Sequence, residues 1–362
     1  MKIGILTGGG DCPGLNAVIR AVVRKGIFHY NDQFVGFLEG WRGVQENMMR
    51  PLDMEAVAGI LPRGGTILRS SRTNPAKKER GLEQCIENLN NNGIEALVVL
   101  GGDDTQSVSQ KLFEGGVKVV AVPKTIDNDL SGTDFCFGFD TAVMIATEAI
   151  DRVHTTAEAH NRVIVVEVMG RDSGWIAIYS GIAGGADVIL IPERPFDIDD
   201  VADVLKHRHD RGRFFSVVVV AEGAKMARGT GSGSLVTETD QVDDFGHVRL
   251  GGIGNMLARE IEQRTGFETR AVVLGHIQRG GSPTAFDRML ATRYGVGAID
   301  LVHEGKFGNM VVLRGNAIQS IPIIEAISKT SYVSQELIDV ALSLQDRRGE
   351  ERGGLKAAPH QR

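Results

Sequence analysis

The chain has 362 residues, of which 42% are hydrophobic and 24% charged, the composition of a globular protein too long for a single hydrophobic core. Its formal net charge of −6 argues against nucleic acid as a partner. With three cysteines, no CxxC pair, no signal peptide and no bilayer-spanning apolar run, we expect a cytoplasmic protein without a zinc site, a disulfide framework or a membrane partner.

Short β-branched runs alternate with amphipathic segments along most of the chain. The predicted strands are "KIGILT" (2–7), "EALVVL" (95–100), "VKVVAV" (117–122), "RVIVVEV" (162–168), "DVILIP" (187–192), "FFSVVVVAEG" (214–223) and "TRAVVLG" (269–275). Amphipathic segments lie at 15–28, 105–115, 141–160, 173–184 and 197–210, and a long helix is expected from Ser282. Apolar strands that alternate with helices predict the α/β class, with mostly parallel sheets covered on both faces.

The first glycine-rich turn, "TGGGDCPGLN" (7–16), joins a predicted strand to a predicted helix. Free N–H groups at a helix start attract phosphate, and glycine lets the phosphate approach, although a tight turn without a ligand remains the alternative. The pattern is not a dinucleotide fingerprint, because Pro13 stands where the third glycine is needed, and this excludes a nicotinamide-dependent oxidoreductase. A Walker loop is excluded as well, because no Gly-Lys-Ser/Thr follows.

Two further turns carry carboxylates directly after predicted strands. In "GGDDTQ" (101–106), Asp103 and Asp104 stand side by side, although a helix cap or a metal site usually needs only one carboxylate. For Asp104, an exposed N-cap of the helix at Thr105 is the alternative to a role in a ligand site. In "VPKTIDND" (122–129), Lys124 precedes Asp127. This second turn is either an ordinary Asx-capped turn or a general base that faces a substrate hydroxyl.

Three later strands are also followed by charged residues. Arg171 lies in "EVMGRDSG" (167–174), Glu222 in "AEG" (221–223), and His276 and Arg279 in "LGHIQRGGSP" (274–283). Each could separately be a helix cap or a solvated side chain. Together, glycine turns and an excess of cations at one end of successive strands have the composition of a sugar-phosphate and phosphoryl-donor site.

The motifs "LTGGGDCPGLN", "GGDDT", "PKTIDND", "VEVMGR", "AEG" and "LGHIQRGGSP", in this order and spacing, closely resemble the 6-phosphofructokinase family over residues 1 to about 320. The resemblance implies two Rossmann-like α/β lobes with the cleft between them. The donor-binding lobe is expected at 1–138 plus 251–304, and the sugar-phosphate lobe at 139–250 plus 305–345. A disordered tail is expected at 346–362.

The resemblance also implies a role for individual residues. The implied catalytic residues are Asp127, as the base toward the sugar's 1-hydroxyl, Thr125 and Asp129, which support it, and Arg171, which stabilises the phosphoryl group in flight. Asp103 is the implied Mg²⁺ ligand, and the donor site comprises Gly10, Arg72, Gly102, Asp104 and Lys124. The fructose 6-phosphate site comprises Thr125, Ile126, Asp127, Met169, Gly170, Arg171, Glu222, His276 and Arg279. Arg162 and Arg270 are expected to reach the sugar phosphate across a subunit interface, in a homodimer or homotetramer.

Asp104, the second aspartate of "GGDDTQ", distinguishes between two possible phosphoryl donors. Relatives that use ATP resemble one another in carrying glycine at the position of Asp104, where the α-phosphate of a nucleotide passes. An aspartate fills that space and places an anion against an anion, which costs about 4 kcal/mol at 4 Å and partly buried dielectric. With Lys124, this resembles the branch that uses pyrophosphate in a reversible reaction of glycolysis and gluconeogenesis. An ATP-dependent enzyme is the alternative. A silent regulatory subunit is disfavoured because Asp103, Asp127 and Arg171 are all present.

Overall fold

The computed structural model describes residues 1–227, 237–242 and 248–345, with the backbone alone for 237–242 and 248–249. The tail predicted to be disordered, at 346–362, lies outside the described residues. Within the described part of the chain, no helix is both long and apolar enough to cross a membrane.

The strands and helices alternate through most of the described chain. The strands are β1 (Lys2–Thr7), β2 (Gln33–Phe37), β3 (Met49–Leu52), β4 (Ala96–Gly101), β5 (Val119–Pro123), β6 (Val163–Val168), β7 (Val188–Leu190), β8 (Ser216–Ala221), β9 (Thr237–Val242), β10 (Val248–Leu250), β11 (Thr269–Val273), β12 (Asn309–Arg314) and β13 (Ala317–Pro322). The helices are α1 (Leu15–Lys25), α2 (Trp41–Gln45), α3 (Gly81–Asn91), α4 (Asp103–Glu114), α5 (Phe139–His160), α6 (Trp175–Ala183), α7 (Ile198–Asp210), α8 (Ile253–Thr265), α9 (Ala285–His303), α10 (Ile323–Ile327) and α11 (Gln335–Ser343).

A seven-stranded sheet organises the first lobe, in the order β13-β12-β5-β4-β1-β2-β3. Its inner strands pair in parallel, and the edge strands β3 and β13 are antiparallel to their neighbours. The chain leaves β1 toward β2 on one side and returns as β4 on the other. The crevice beyond the carboxyl ends of β1 and β4 is therefore a topological switch point, which is where open α/β sheets bind ligands.

A four-stranded parallel sheet in the order β11-β6-β8-β7 organises the second lobe. Its switch point falls between β6 and β11, because β8 and β7 extend the sheet on the other side of β6. The carboxyl ends of β6 and β11 thus form a second ligand-binding edge.

Alternate residues of the inner strands are buried on opposite faces, which gives the molecule a layered core. In β4, Val98 and Leu100 belong to one hydrophobic cluster, and Leu97 and Val99 belong to another that includes residues of α3, α4 and α10. The first cluster runs through α1, α9, α5 and α6 into the second sheet. The two lobes therefore share one continuous hydrophobic layer, although each has its own sheet.

The sheet membership of three strands differs from the boundaries that the resemblance implied. Strand β11 falls in the segment expected in the donor lobe, but it pairs with β6 of the second sheet. Strands β12 and β13 fall in the segment expected in the sugar-phosphate lobe, but β12 pairs with β5 of the first sheet. The pairing follows spatial neighbourhood rather than chain order, and the expected placement of these three strands was wrong.

Candidate active site

The predicted ligand-binding turns follow six strands at the facing edges of the two sheets. Three follow β1, β4 and β5 of the first sheet, and three follow β6, β8 and β11 of the second. Contacts across the cleft join the two edges: Arg171 Nη1 lies 4.0 Å from Asp104 Oδ2, and Arg279 Nη1 donates to the Asp11 carbonyl at 3.3 Å. The sequence placed these turns correctly, because the carboxyl ends of parallel strands meet at one edge.

The glycine turn after β1 accommodates cations of both lobes. The ammonium of Lys124 donates to the Gly10 carbonyl at 2.6 Å. A Cβ atom on Gly10 would lie 2.7 Å from Nη1 of Arg279, so a side chain there would displace the guanidinium. Glycine at this position lets the Arg279 guanidinium approach the backbone closely.

A cavity of about 450 Å³ lies between the glycine turn and residues 66–72 of the first lobe and the loop that follows β11 of the second lobe. Its lining comprises Gly9, Gly10, Asp11, Thr66, Arg69, Ser70, Ser71, Arg72, His276 and Arg279. Three arginines face one aspartate, which favours an anionic ligand with several phosphate oxygens. The sequence assigned Gly10 and Arg72 to the donor site and His276 and Arg279 to the fructose 6-phosphate site, and it did not single out the other lining residues. Arg69 adopts a φ of 59°, a left-handed conformation that is uncommon for arginine and that no sequence pattern predicts.

The loop after β5 holds Asp127 with one oxygen ready for a ligand. Thr125 Oγ1 accepts the Asp127 N–H at 3.0 Å and lies 3.4 Å from Asp127 Oδ2. Asp127 is 7% exposed, and no hydrogen-bond partner reaches its Oδ1 among the described residues. Asn128 fixes the loop by accepting the Cys136 N–H. A buried carboxylate oxygen without a partner costs free energy unless a ligand donates to it.

Ile126, predicted to contact substrate, is 0% exposed. Its side chain is fully buried in the hydrophobic layer that the two lobes share. Met169, by contrast, is only partly buried against the same layer, and Gly170 beside it adopts a φ of 141°.

Helix α4 begins with the two adjacent aspartates, and neither is its cap. Gly102 is the N-cap, without a side-chain hydrogen bond, and Asp103 and Asp104 both lie in the first helical turn. Anions in the first turn are favoured by the unpaired N–H groups of the helix start. Asp104 also faces Arg171 of the other lobe. The interpretation of Asp104 as an N-cap is therefore wrong.

Arg171 lies among the carboxylates of the first lobe. Burial lowers the pKa of its guanidinium, but Asp103, Asp104 and Asp127 raise it, so that the pKa lies above its usual value. Its backbone adopts a φ of 55°, and its N–H donates to Glu222 Oε1 at 3.2 Å. A permanent cation of the second lobe therefore lies in the electrostatic field of three first-lobe carboxylates, one of them the buried Asp127, and such a cation can stabilise an anionic group that is transferred there.

Two other carboxyl groups of the cleft have raised pKa values. Burial, followed by the charges of Asp127 and Asp103, raises the pKa of Asp129 to about 8. Burial, followed by the charge of Asp127, raises the pKa of Glu222 to about 7. Burial also lowers the pKa of Lys124. The charges of neighbouring carboxylates disfavour ionisation of Asp129 and Glu222. Such a crowded group of carboxyls is typical of a site that binds additional cations.

Arg162 and Arg270 lie away from the cleft of their own chain. Arg162 precedes β6 and Arg270 begins β11, whereas the cleft residues follow the ends of these strands. Both pair with Glu268, at 2.8 Å and 2.6 Å. Arg162 lies six residues before the end of β6 and Arg270 three residues before the end of β11, which corresponds to about 20 Å and about 10 Å of strand. A single chain therefore does not bring these two arginines to the other predicted site residues.

The family follows from the sequence as a whole. Residues 2–302 match the model of the phosphofructokinase family, so the chain belongs to that family, as predicted. It is 58% identical over 340 residues to the pyrophosphate–fructose 6-phosphate 1-phosphotransferase of Streptomyces coelicolor, covering 94% of this chain and 98% of the relative. It is 50% identical over 344 residues to ATP-dependent 6-phosphofructokinase 2 of the same organism, covering 95% and 100%.

Solved structures confirm the predicted fold. The crystal structure of Pichia pastoris phosphofructokinase in the T-state superimposes with a TM-score of 0.79 at 33% sequence identity. The match covers 95% of this chain and 36% of that one, so the chain spans about a third of the length of this larger relative. The superposition supports the α/β fold described above.

Proposed function

We propose that the chain transfers a phosphoryl group reversibly between pyrophosphate and the 1-hydroxyl of fructose 6-phosphate. The observation that carries the proposal is that the cation Arg171 lies across the cleft among the carboxylates of the first lobe, 4.0 Å from Asp104 and under the charge of the buried Asp127, beside a cavity lined by arginines. Phosphoryl transfer needs alignment and charge stabilisation more than covalent chemistry, and these residues supply both.

Each side chain has a role in the proposed reaction. Asp127 orients the 1-hydroxyl and accepts its proton through the unpaired Oδ1, held in place by the Thr125 hydrogen bond. Arg171 stabilises the negative charge of the phosphoryl group in flight. Asp129 supports Asp127. The sugar phosphate is bound by the other residues that the family resemblance implied: Met169, Gly170, Glu222, His276 and Arg279.

Mg²⁺ is the proposed cofactor, with Asp103 as its protein ligand. No group of three or more His, Cys, Asp or Glu side chains within the described part of the chain could hold a metal by itself. This fits Mg²⁺, which keeps several waters and binds one or two carboxylates together with substrate phosphates. Asp103 is exposed at the mouth of the cleft, near the crowded carboxyl of Asp129. The bound ion would neutralise charge on the donor phosphates.

Asp104 supports pyrophosphate rather than ATP as the donor. It stands in the first turn of α4, beside Gly102, which is proposed to contact the donor. A nucleotide's α-phosphate passing this point would meet a carboxylate already engaged with Arg171. The 58% identity to a relative named for pyrophosphate, against 50% for one named for ATP, supports the same choice. An ATP-dependent phosphofructokinase is the second candidate, because half of the residues match that relative.

The active form is proposed to be a homodimer or a homotetramer in the cytoplasm, with each active site shared between subunits. The support is the position of Arg162 and Arg270 at the amino ends of β6 and β11, about 20 Å and about 10 Å along the strands from the cleft of their own chain. Only a second copy could bring these cations to a sugar phosphate bound there.

Initial rates with fructose 6-phosphate and Mg²⁺ test the donor. Pyrophosphate and ATP are supplied at equal concentrations in separate assays. We expect kcat/KM to favour pyrophosphate by about a hundredfold or more, since a like-charge contact of a few kcal/mol corresponds to that ratio. Comparable rates would favour the ATP-dependent candidate and show that Asp104 moves aside. No transfer from either donor would refute the proposed reaction.

A further inference from the structure

The turn that carries Arg171 is joined to the loop that carries Asp127 by the hydroxyl of Ser173. Ser173 is fully buried, and its Oγ lies 3.1 Å from the Asp127 carbonyl and 3.2 Å from the Gly170 carbonyl. Its N–H donates to the Gly170 carbonyl as well, at 3.0 Å. The single hydroxyl proton of Ser173 is thus shared between the Asp127 carbonyl of the first lobe and the Gly170 carbonyl of the second lobe.

Each end of this link is fixed within its own lobe. On the second lobe, the Arg171 N–H donates to Glu222, and a Cβ atom on Gly223 would lie 1.8 Å from the Arg171 carbonyl, so the turn is packed tightly against the end of β8. On the first lobe, Thr125 and Asn128 hold the Asp127 loop. The spacing between Asp127 and Arg171 therefore depends on contacts that cross the cleft.

The side-chain contact between Arg171 and Asp104 cannot keep that spacing during turnover. It is 4.0 Å long, and both side chains are more than a quarter exposed. Arg171 must also turn toward the transferring group. The Ser173 hydroxyl, by contrast, donates to a backbone carbonyl in a buried position, where a hydrogen bond is retained because breaking it leaves a buried group unpaired.

We propose that Ser173 is a positioning residue, whose hydroxyl sets the distance between the Asp127 carboxylate and the Arg171 guanidinium. The proposal rests on the function proposed above. Ser173 contacts no substrate and acts through the backbone of the two loops. Displacement of a catalytic group by 1 Å costs about a hundredfold in rate, so one hydrogen bond at this point controls kcat more than substrate affinity.

Steady-state kinetics of Ser173→Ala in the full-length protein test the proposal. We expect kcat to fall about tenfold, as loss of a buried hydrogen bond and slight misalignment predict, while KM for fructose 6-phosphate and for pyrophosphate stays within about twofold. Ser180→Ala is the matched control, because Ser180 is also fully buried and its hydroxyl donates to the Ile176 carbonyl within α6. Its kcat should stay within about twofold of wild type.

Ser173→Cys keeps nearly the same volume but has a weaker donor, so its kcat should lie between those of wild type and Ser173→Ala. If the alanine variant does not fold, the cysteine variant tests the proposal in its place. Equal kcat in wild type, the cysteine variant and the alanine variant would overturn the proposal, as would a fall in kcat that Ser180→Ala reproduces at the same loss of melting temperature. Failure of the proposed function is distinct, because the wild-type protein itself would then show no transfer.

Discussion

Asp104 and Lys124 act on the same region of the cleft with opposite charges. The Asp104 carboxylate is placed between the N-terminus of α4 and the Arg171 guanidinium. The Lys124 ammonium is buried against the Gly10 carbonyl. In the proposed function, a short, highly charged donor ends at the lysine, whereas a longer donor has to pass the aspartate. At the scale of single residues, the proposal therefore assigns the choice of donor to the position of one carboxylate.

Replacing both residues with glycine should change the donor. In Asp104→Gly/Lys124→Gly, we expect kcat/KM for ATP to rise at least about tenfold, because a like-charge contact is removed and space is opened. The rate with pyrophosphate should fall, because Arg171 loses a neighbouring carboxylate and the donor loses a cation. Initial rates with each donor measure both changes.

Asp200→Gly is the control for this pair, since Asp200 lies in the first turn of α7 and does not line the cleft. It should leave both rates unchanged. If the double variant stays folded and gains no rate with ATP, Asp104 does not select the donor.

At the scale of elements, helices α5 and α9 are joined at their N-termini by Asp287. Its Oδ2 accepts the N–H and the hydroxyl of Thr141, at 2.8 Å and 2.6 Å, and Asp287 is fully buried. Its Oδ1 has no partner in the described part of the chain. Burial raises the pKa of this carboxyl to about 6. Thr284, which follows the loop with His276 and Arg279, donates its N–H to Thr141 and its hydroxyl to Asp140 in the first turn of α5, so the junction fixes the end of that loop.

Stability should depend on pH through Asp287. Its pKa is raised in the folded state, so its contribution to stability is complete below its ordinary pKa of 3.8 and is lost as pH rises through about 6. The loss is at most about 1.4 kcal/mol per pH unit. The melting temperature of wild type relative to Asp287→Asn should therefore be higher at pH 4 than at pH 7. An equal difference at both pH values would show that Asp287 does not titrate in this range.

The sequence predicted individual strands and helices better than it predicted which strands pair with each other. The strand predicted at 95–100 is Ala96–Gly101 and the amphipathic segment at 141–160 lies within Phe139–His160, because apolar runs and helical periodicity are local signals. Strands β2, β3, β12 and β13 went unpredicted. Sheet membership also depends on tertiary contacts, so β11 and β12 were assigned to the wrong lobes. The position of Ser173 was not predictable for the same reason, because its hydroxyl donates to the carbonyl of Asp127, 46 positions away in the sequence.

At the scale of the whole molecule, the proposed function requires another copy of the chain to supply cations to the cleft. The Glu268 carboxylate holds Arg162 and Arg270 together at the far edge of the second sheet. Arg162 also carries a buried Nε without a partner in the described residues. A surface with two paired arginines suits a phosphate presented by a neighbouring subunit.

Subunit complementation tests this arrangement. Asp127→Ala and Arg162→Ala are each expected to be nearly inactive alone, the first through kcat and the second through a raised KM for fructose 6-phosphate. Dissociated and reassociated as an equal mixture, they should regain about a quarter of the wild-type rate, because each hybrid dimer contains one intact site. A mixture that stays as inactive as its components would show that both residues serve the same subunit's site.

The pairing of β12 with β5 also affects how the protein is made. Strand β5 is complete at residue 123, but its partner is not synthesised until residue 309. Until then, one side of the growing first sheet is an unpaired edge, and such edges are prone to aggregation. At about 5–20 residues per second on the ribosome, this exposure lasts on the order of 10 to 40 seconds. The contact also joins residues far apart in sequence, which predicts slow refolding from denaturant.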